Sequence, residues 1–281
     1  MIRTIFDTYG ALMLLIIFII LFLLESKIQL RKRVQKRWKR IVINFVVSLP
    51  AFALLRIVFI PAMVWLAMQN KQWHFGLEYL FPAPEWLKGA IAFILLDYSN
   101  YTWHILLHKL PVLWRFHLVH HTDLDLDITT AFRFHFGELI ASVLFRGAAI
   151  LLIGVSPLMV LIYEIVFESA TQFHHSNIKL PFRFEKVLNY LIVTPRMHGI
   201  HHSMGKKETD SNYSIIFSFW DRIHRTVRLN IHQDAVVTGV PSYVHENELT
   251  IGKLLILPFT KIRKWEETER SSDGNLNQLK S

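Results

Sequence analysis

The sequence contains no cysteine. That excludes disulfides, thiolate-ligated zinc and any iron–sulfur cluster built on this chain. It carries no flavin or nicotinamide fingerprint and no haem-binding module of the cytochrome b5 kind. The His-Glu-x-x-His box of zinc proteases is missing as well, because Ile105 follows His104 and no carboxylate stands inside the box to act as a base. So is the repeated Glu-x-x-His pair by which soluble di-iron bundles hold their metals. Acidic residues are the scarcer charge, 22 Asp and Glu against 31 Lys and Arg, for a net +9. The excess of positive charge does not read as a nucleic-acid surface. Its densest run, Lys27 to Arg40, directly follows an apolar segment, which is the pattern of a positive-inside membrane anchor.

What the sequence has in excess is apolar residues and histidine. Hydrophobic residues make up 52 % of 281 positions, the mean hydropathy is +0.30, and the apolar residues come in blocks. The first block, about residues 6–25, has its positive charge after it and no small-residue cleavage site, so it reads as an uncleaved transmembrane helix. A second runs from Ile41 to Met68, interrupted by Arg56 and kinked by Pro50 and Pro61, as one tilted span or a broken pair. Trp86 to His108 is a third span. A loop over Lys109–Phe134 follows, then a helical hairpin of Gly137–Ile153 and Leu158 to about His175. Beyond Pro181 the chain is mostly polar, and the charged tail after about Arg263 reads as mobile. The expected organisation is 1–85 as N-terminal membrane helices with a basic cytoplasmic loop, 86–245 as the unit carrying the histidines, and 246–281 as a C-terminal cytoplasmic tail.

The histidines fall into boxes. His104-x-x-x-His108, His117-x-x-His120-His121 and His198-x-x-His201-His202 place imidazoles at i, i+3 and i+4, one face of a helix. His174-His175 lies between them, with Thr171 where a third imidazole would complete the spacing. Neutral imidazole is a ligand for iron, zinc, copper and nickel. A triplet of this spacing can give two ligands to one metal and the third to a neighbour, and two metals at four or five ligands each need eight to ten side chains. The boxes offer that number: His104, His108, His117, His120, His121, His198, His201 and His202, joined by His174 and His175, with His175 the favoured one of that pair. Isolated histidines at a membrane interface are more often structural, and His74, His224, His232 and His245 are read so. Asp97 lies two turns before His104 on the same helical face and is the favoured carboxylate for orienting an imidazole through its other ring nitrogen; Glu138, Glu168 and Asp221 are alternatives. With residues 27–40 on the cytoplasmic side, alternating the spans brings all four boxes to that side. The fold expected is an all-α integral membrane bundle of four or five spanning or hairpin helices, under a cytoplasmic helical cap that holds a dinuclear metal site.

The set of boxes and their surroundings resembles the fatty acid hydroxylase / sterol desaturase superfamily over about residues 86–230. Trp114-Arg115-Phe116-His117 leads into the second box. Arg133-Phe134-His135-Phe136-Gly137-Glu138 is similar to the family's Arg-x-His-Pro-x-Glu segment, with Phe136 in place of Pro. Phe173-His174-His175-Ser176-Asn177 is similar to its Gln-His-Ser-Asn element. Thr194 to Ser203 is very close to its last box, and Asn212-Tyr213 and Trp220-Asp221-Arg222 follow, with Ser214 where Gly is common. The resemblance implies a multi-pass membrane enzyme with its site on the cytoplasmic side. Two iron ions would activate O2 there to hydroxylate or desaturate a membrane lipid, be it a sterol, fatty acyl chain, sphingolipid or glyceryl ether. It also implies an external electron donor, a ferredoxin or cytochrome with its reductase. The competing class is a non-enzymatic membrane metal-binding or metal-transport protein, which would place its ligands near mid-membrane along a path rather than at helix ends.

Overall fold

The structure, a computed structural model, describes residues 9–265. Among these it is helical, with isolated β-bridges and no strand. Residues 6–8 of the expected first span, and the tail from 266 onward, lie outside the described residues. Helix α1 (Ala11–Lys27) is apolar around its whole circumference and leaves Leu12, Leu15, Ile16, Ile19, Ile20 and Leu23 exposed; its one buried residue is Glu25. Such a surface suits lipid rather than water.

The second apolar block is a single helical run. Helix α2 (Arg37–Leu54) passes through a π-helical turn, Leu55–Phe59, into α3 (Ile60–Trp73). Pro61 sits in the first turn of α3, directly after that turn, where a widened hydrogen-bond register accommodates its missing N–H. At 1.5 Å per residue the run is about 55 Å long, more than a bilayer core of about 30 Å requires. Among the described residues, this run and α6 (Phe136–Ile153) are the two helices long and apolar enough to cross a membrane. The run ends at His74, which adopts φ 51°, and Gly76 follows at φ 112°. A Cβ on Gly76 would lie 2.4 Å from the backbone of Gly154, so glycine is what lets these two loops meet.

Helix α4 (Glu85–Lys109) covers the segment expected as the third span. The segment Lys109–Phe134, expected as a loop, instead contains helix α5 (Pro111–His121) and a 3-10 turn at Ile128–Phe132. Leu110, extended because a proline follows, breaks α4 from α5 without ending helical structure. Helix α7 (Pro157–His175) completes the hairpin with α6. The polar region carries short helices, among them α8 (Phe182–Leu188), α9 (Pro195–His201), α10 (Phe219–Ile223) and α11 (Ile251–Ile256). Met63, Ala67, Leu96, Ile150 and Tyr163 join α3, α4, α6 and α7 in one core. A second core, around Val47, Leu118, Tyr243 and Leu254, seats α11 and its flanks on α2 and α5.

The basic run has specific partners as well as a topological bias. Glu25 accepts from Arg37 at 2.6 Å and from the backbone N–H groups of Ile128 and Asn177. Arg40 is buried and bidentate to Asp123 at 2.8 Å on both arms, and it donates to Asp127 at 2.7 Å. Asn44 bridges Asp123 to Arg133, whose Nε donates to the carbonyl of Val119 in α5. Burial alone would raise the carboxyl pKa of Asp123, but the Arg40 and Arg133 guanidinium groups outweigh it and hold that value well below the usual range. A lowered folded-state pKa gives stability that is complete above the unfolded value, about 4, and is lost as pH falls through the folded one. Asp123→Asn, by leaving Arg40 under-compensated, should cost about 3 kcal/mol or more at neutral pH. Thermal unfolding in detergent should show a lowered midpoint, and the gap to wild type should close in strong acid.

Candidate metal centre

Four helices deliver the predicted histidines to one buried place. α4 brings His104 and His108, and α5 brings His117, His120 and His121. α7 ends in His174 and His175, and α9 with its C-cap brings His198, His201 and His202. Their ligand atoms form two groups, each with all members within 4.8 Å of one another. One is His104, His108, His117, His121 and His201; the other is His120, His175, His198 and His202. Each triplet is split between the groups. In α5 the i and i+4 imidazoles join the first group and the i+3 imidazole the second; in the last box the division is reversed. The helical pitch produces this, because i+3 and i+4 lie on opposite flanks of the line through i.

Hydrogen bonds fix the tautomers. His104 Nδ1 donates to the carbonyl of Tyr213 at 2.8 Å, His201 Nδ1 to Ser211 at 2.7 Å, His175 Nδ1 to Thr171 at 2.8 Å and His120 Nδ1 to Arg133 at 3.3 Å. His117 Nδ1 donates to Glu138 Oε1 at 3.1 Å. A ring that donates from Nδ1 and is neutral has a lone pair on Nε2. Yet His120 Nε2 and His175 Nε2 stand 3.0 Å apart, and His175 Nε2 and His198 Nε2 likewise 3.0 Å. His201 Nε2 and both nitrogens of His108 are buried without a hydrogen-bond partner. In the His120–His175 pair both rings donate from Nδ1, so two lone pairs face each other, a contact that a cation between or beside them would relieve; His198 Nδ1 has no partner, which leaves its Nε2 free to donate to His175. A proton is disfavoured, since burial drives the pKa values of His120, His121, His198, His201 and His202 well below that of free imidazole. A soft-to-borderline metal ion suits the donor set.

Two of the expected site residues stand outside the groups. His174 gives no ligand atom to either group. Its Nδ1 bonds the carbonyl of Ile215 at 3.1 Å, and its ring packs on His198 with centroids 4.1 Å apart. Asp97 orients no imidazole. Its carboxylate accepts from the N–H groups of Ile216 and Phe217 and from Trp220 Nε1 at 2.8 Å. Asp221 similarly holds the N–H groups of Tyr213 and Ser214. Together they pin the loop whose carbonyls receive His104 and His174, so Asp97 acts one step removed from the rings. Among the carboxylates, Glu138 makes the direct bond to a histidine of the centre. His135 is in neither group; its Nδ1 accepts from Gly137 N–H and caps α6, the helix that carries Glu138. Of the histidines read as structural, His74 caps α3, His224 stacks on Tyr98 and Tyr101, and His232 pairs with Asp234 at the surface.

A cavity with an empty volume of ≈ 950 Å³, its open side included, adjoins both groups. His104, His120, His175 and His198 line it, together with apolar side chains that include Phe52, Leu55, Trp103, Phe132, Phe134 and Leu139.

The sequence model of the fatty acid hydroxylase family matches residues 89–226, which contain every histidine of both groups. These residues form a fatty acid hydroxylase domain. The hydroxylase domain is similar to alkylglycerol monooxygenase of Danio rerio, 30 % identical over 63 % of this chain and 38 % of the relative. Cholesterol 25-hydroxylase of Rattus norvegicus is 24 % identical over 56 % of this chain and 52 % of its own length. Ornithine lipid hydroxylase OlsE of Rhizobium tropici is 28 % identical over 50 % and 41 %. The chain thus spans about a third to a half of the length of these curated relatives. No solved structure matches.

The Glu138 contact yields a test. Glu138→Leu leaves the His117 Nδ1–H buried without an acceptor and should weaken metal binding roughly 10–100-fold, as measured by chelator competition; Glu138→Gln, which keeps an acceptor, should retain most of it. The five lowered imidazole values carry a pH sign. Folded rings stay neutral while the unfolded chain takes up protons below about pH 6.5, so stability of the metal-free protein is complete above that pH and declines below it. Chemical denaturation at pH 7.5 and 5.5 should show the difference.

Proposed function

We propose that this chain is a multi-pass membrane enzyme that hydroxylates a lipid at an unactivated C–H bond, using O2 and two iron ions held by the nine clustered histidines. The observation that carries this reading is the splitting of each histidine triplet between two ligand groups that border an apolar cavity. A single structural or transport site has no use for that division. Transport would call for ligands strung along a path near mid-membrane; here they gather at the ends of α4, α7 and α9 and along α5.

When bound, iron supplies the electron-transfer chemistry that activates O2 for attack on a C–H bond. The chain's own residues set the conditions. The carbonyls of Tyr213, Ser211, Thr171 and Arg133, together with Glu138, hold the rings in the tautomer that turns a lone pair inward. The apolar wall of the cavity admits a hydrocarbon chain and keeps water from it. Electrons come from a separate ferredoxin or cytochrome with its reductase.

The proposed topology has the basic segment on the cytoplasmic side. α1 runs inward, the α2–α3 run outward, α4 back, and α6–α7 out and back. In support, Glu25 at the end of α1 bonds both Arg37 at the start of α2 and Asn177 just past α7, so three helix ends lie together beside the histidines. The catalytic unit proposed is 86–245, flanked by a membrane-anchoring part, 1–85, and a C-terminal cytoplasmic part, 246–281.

Lipid mass spectrometry of cells with and without the protein tests the activity. A product heavier by one oxygen is expected; a product lighter by two hydrogens means desaturation and contradicts the hydroxylation reading. His201→Ala should abolish the product, whereas His232→Ala and His245→Ala, outside both groups, should keep it.

A further inference from the structure

Helix α7 carries a polar stripe that the metal centre does not use. Glu168, Thr171 and Gln172 stand at i, i+3 and i+4, on one helical face, just before His174 and His175. Glu168 and Thr171 line the cavity beside the histidines. Glu168 and Gln172 line an adjoining cleft whose other walls include Leu14, Phe18, Phe45 and Phe52. Phe52, Leu55, Phe132 and Glu168 belong to both, so the cleft abuts the cavity.

The three side chains are poorly explained as structure. Thr171 Oγ1 and Gln172 Oε1 are buried without a hydrogen-bond partner, in residues only 4 % and 2 % exposed. Ser169, on the same helix, satisfies its hydroxyl on the carbonyl of Ile165, the usual recourse of a helical hydroxyl; Thr171 does not. Glu164 is paired with Arg146; Glu168 makes no hydrogen bond or close ion pair among the described residues, and feels the Arg146 and Arg56 guanidinium groups only at longer range. Polar groups left open in an apolar cavity point to a ligand that completes them.

We propose that this stripe binds the polar head of the lipid substrate and so selects a carbon close to that head for oxidation. The inference rests on the hydroxylase reading given above. The chemistry of the stripe defines the head. A carboxylate and an amide oxygen accept, and a threonine hydroxyl accepts or donates. The matching group therefore donates hydrogen bonds, as hydroxyl or N–H groups do. Thr171 and Glu168 precede His175 by four and seven residues, about 6 and 10 Å along the helix axis. A head seated there holds the first several carbons of its chain against the histidines, and the remainder runs out through the apolar cleft. A lipid oxidised at the end remote from its hydroxyl would need that hydroxyl a full molecular length from the centre, where this stripe does not reach.

The test uses full-length, zinc-loaded protein, which is catalytically silent, in detergent micelles. Binding of 1-O-hexadecylglycerol is compared by native mass spectrometry with binding of its 2,3-di-O-methyl derivative, which has the same chain and no donors. Wild type should prefer the free diol about tenfold, the worth of one or two hydrogen bonds. In Thr171→Val, Gln172→Leu and Glu168→Leu the preference should fall to about twofold or less, with zinc content unchanged as the control for folding. Equal binding of the two lipids by wild type, or a preference that survives all three substitutions at full zinc content, overturns the proposal. Iron-loaded protein that shows the stripe-dependent preference yet forms no oxygenated lipid would refute the hydroxylase reading and leave the stripe standing as a lipid-head site.

Discussion

Everything around the centre answers to one electrostatic constraint: nitrogen lone pairs have been brought within about 3 Å of each other in a dry interior. Imidazoles free to rotate would relieve this by turning away or by taking up a proton. Here neither route is open. Backbone carbonyls and Glu138 hold the Nδ1 protons in place, and burial opposes protonation. Metal ions between the rings would satisfy these lone pairs. It follows that the positions of the carbonyl-bearing segments matter as much as the histidines themselves. Tyr213 and Ile215 lie on a loop pinned from both sides by Asp97 and Asp221, and Arg133 is anchored through Asn44 to the Arg40–Asp123 pair.

The same logic gives the N-terminal helices a role beyond membrane anchorage. Arg40, Asn44 and Glu25 come from the first two helices, and each reaches into the segment that carries or flanks the histidines. A chain with the boxes intact but this polar knot removed would have its ligands on a backbone free to shift, and a buried guanidinium without its counter-charge. The apolar exterior of α1 and the buried carboxylate at its end thus do different things: one suits lipid, the other ties α1 to the start of α2 and to the segment past α7.

Much of this was legible in the residues. Three boxes at helical spacing place their histidines together whatever the tertiary detail, and the observed split of each triplet between two groups follows from the pitch. The helices over 86–108, 137–153 and 158–175 were readable because apolar length and nearby prolines mark them. What escaped did so for identifiable reasons. α5 was hidden because Pro111 both ends one helix and starts the next, so the pattern read as a loop. Asp97 was assigned to His104 by helical phase, but phase fixes the direction of a side chain and not which neighbour arrives there; the loop at 216–220 arrived first. His174 and His175 are adjacent in sequence and about 100° apart around a helix, so one joins the centre and the other packs beside it. The partners of Arg40 are separated from it by more than 80 residues, beyond the reach of local pattern.

The central claim is that the two histidine groups each hold an iron ion in the working protein. X-ray absorption at the iron edge, combined with elemental analysis of protein purified in active form, addresses it directly. The account predicts two iron ions per chain, each surrounded by nitrogen from imidazole, with a second iron visible as a neighbouring scatterer. One ion per chain or fewer in fully active protein, or iron with no iron neighbour, would contradict it.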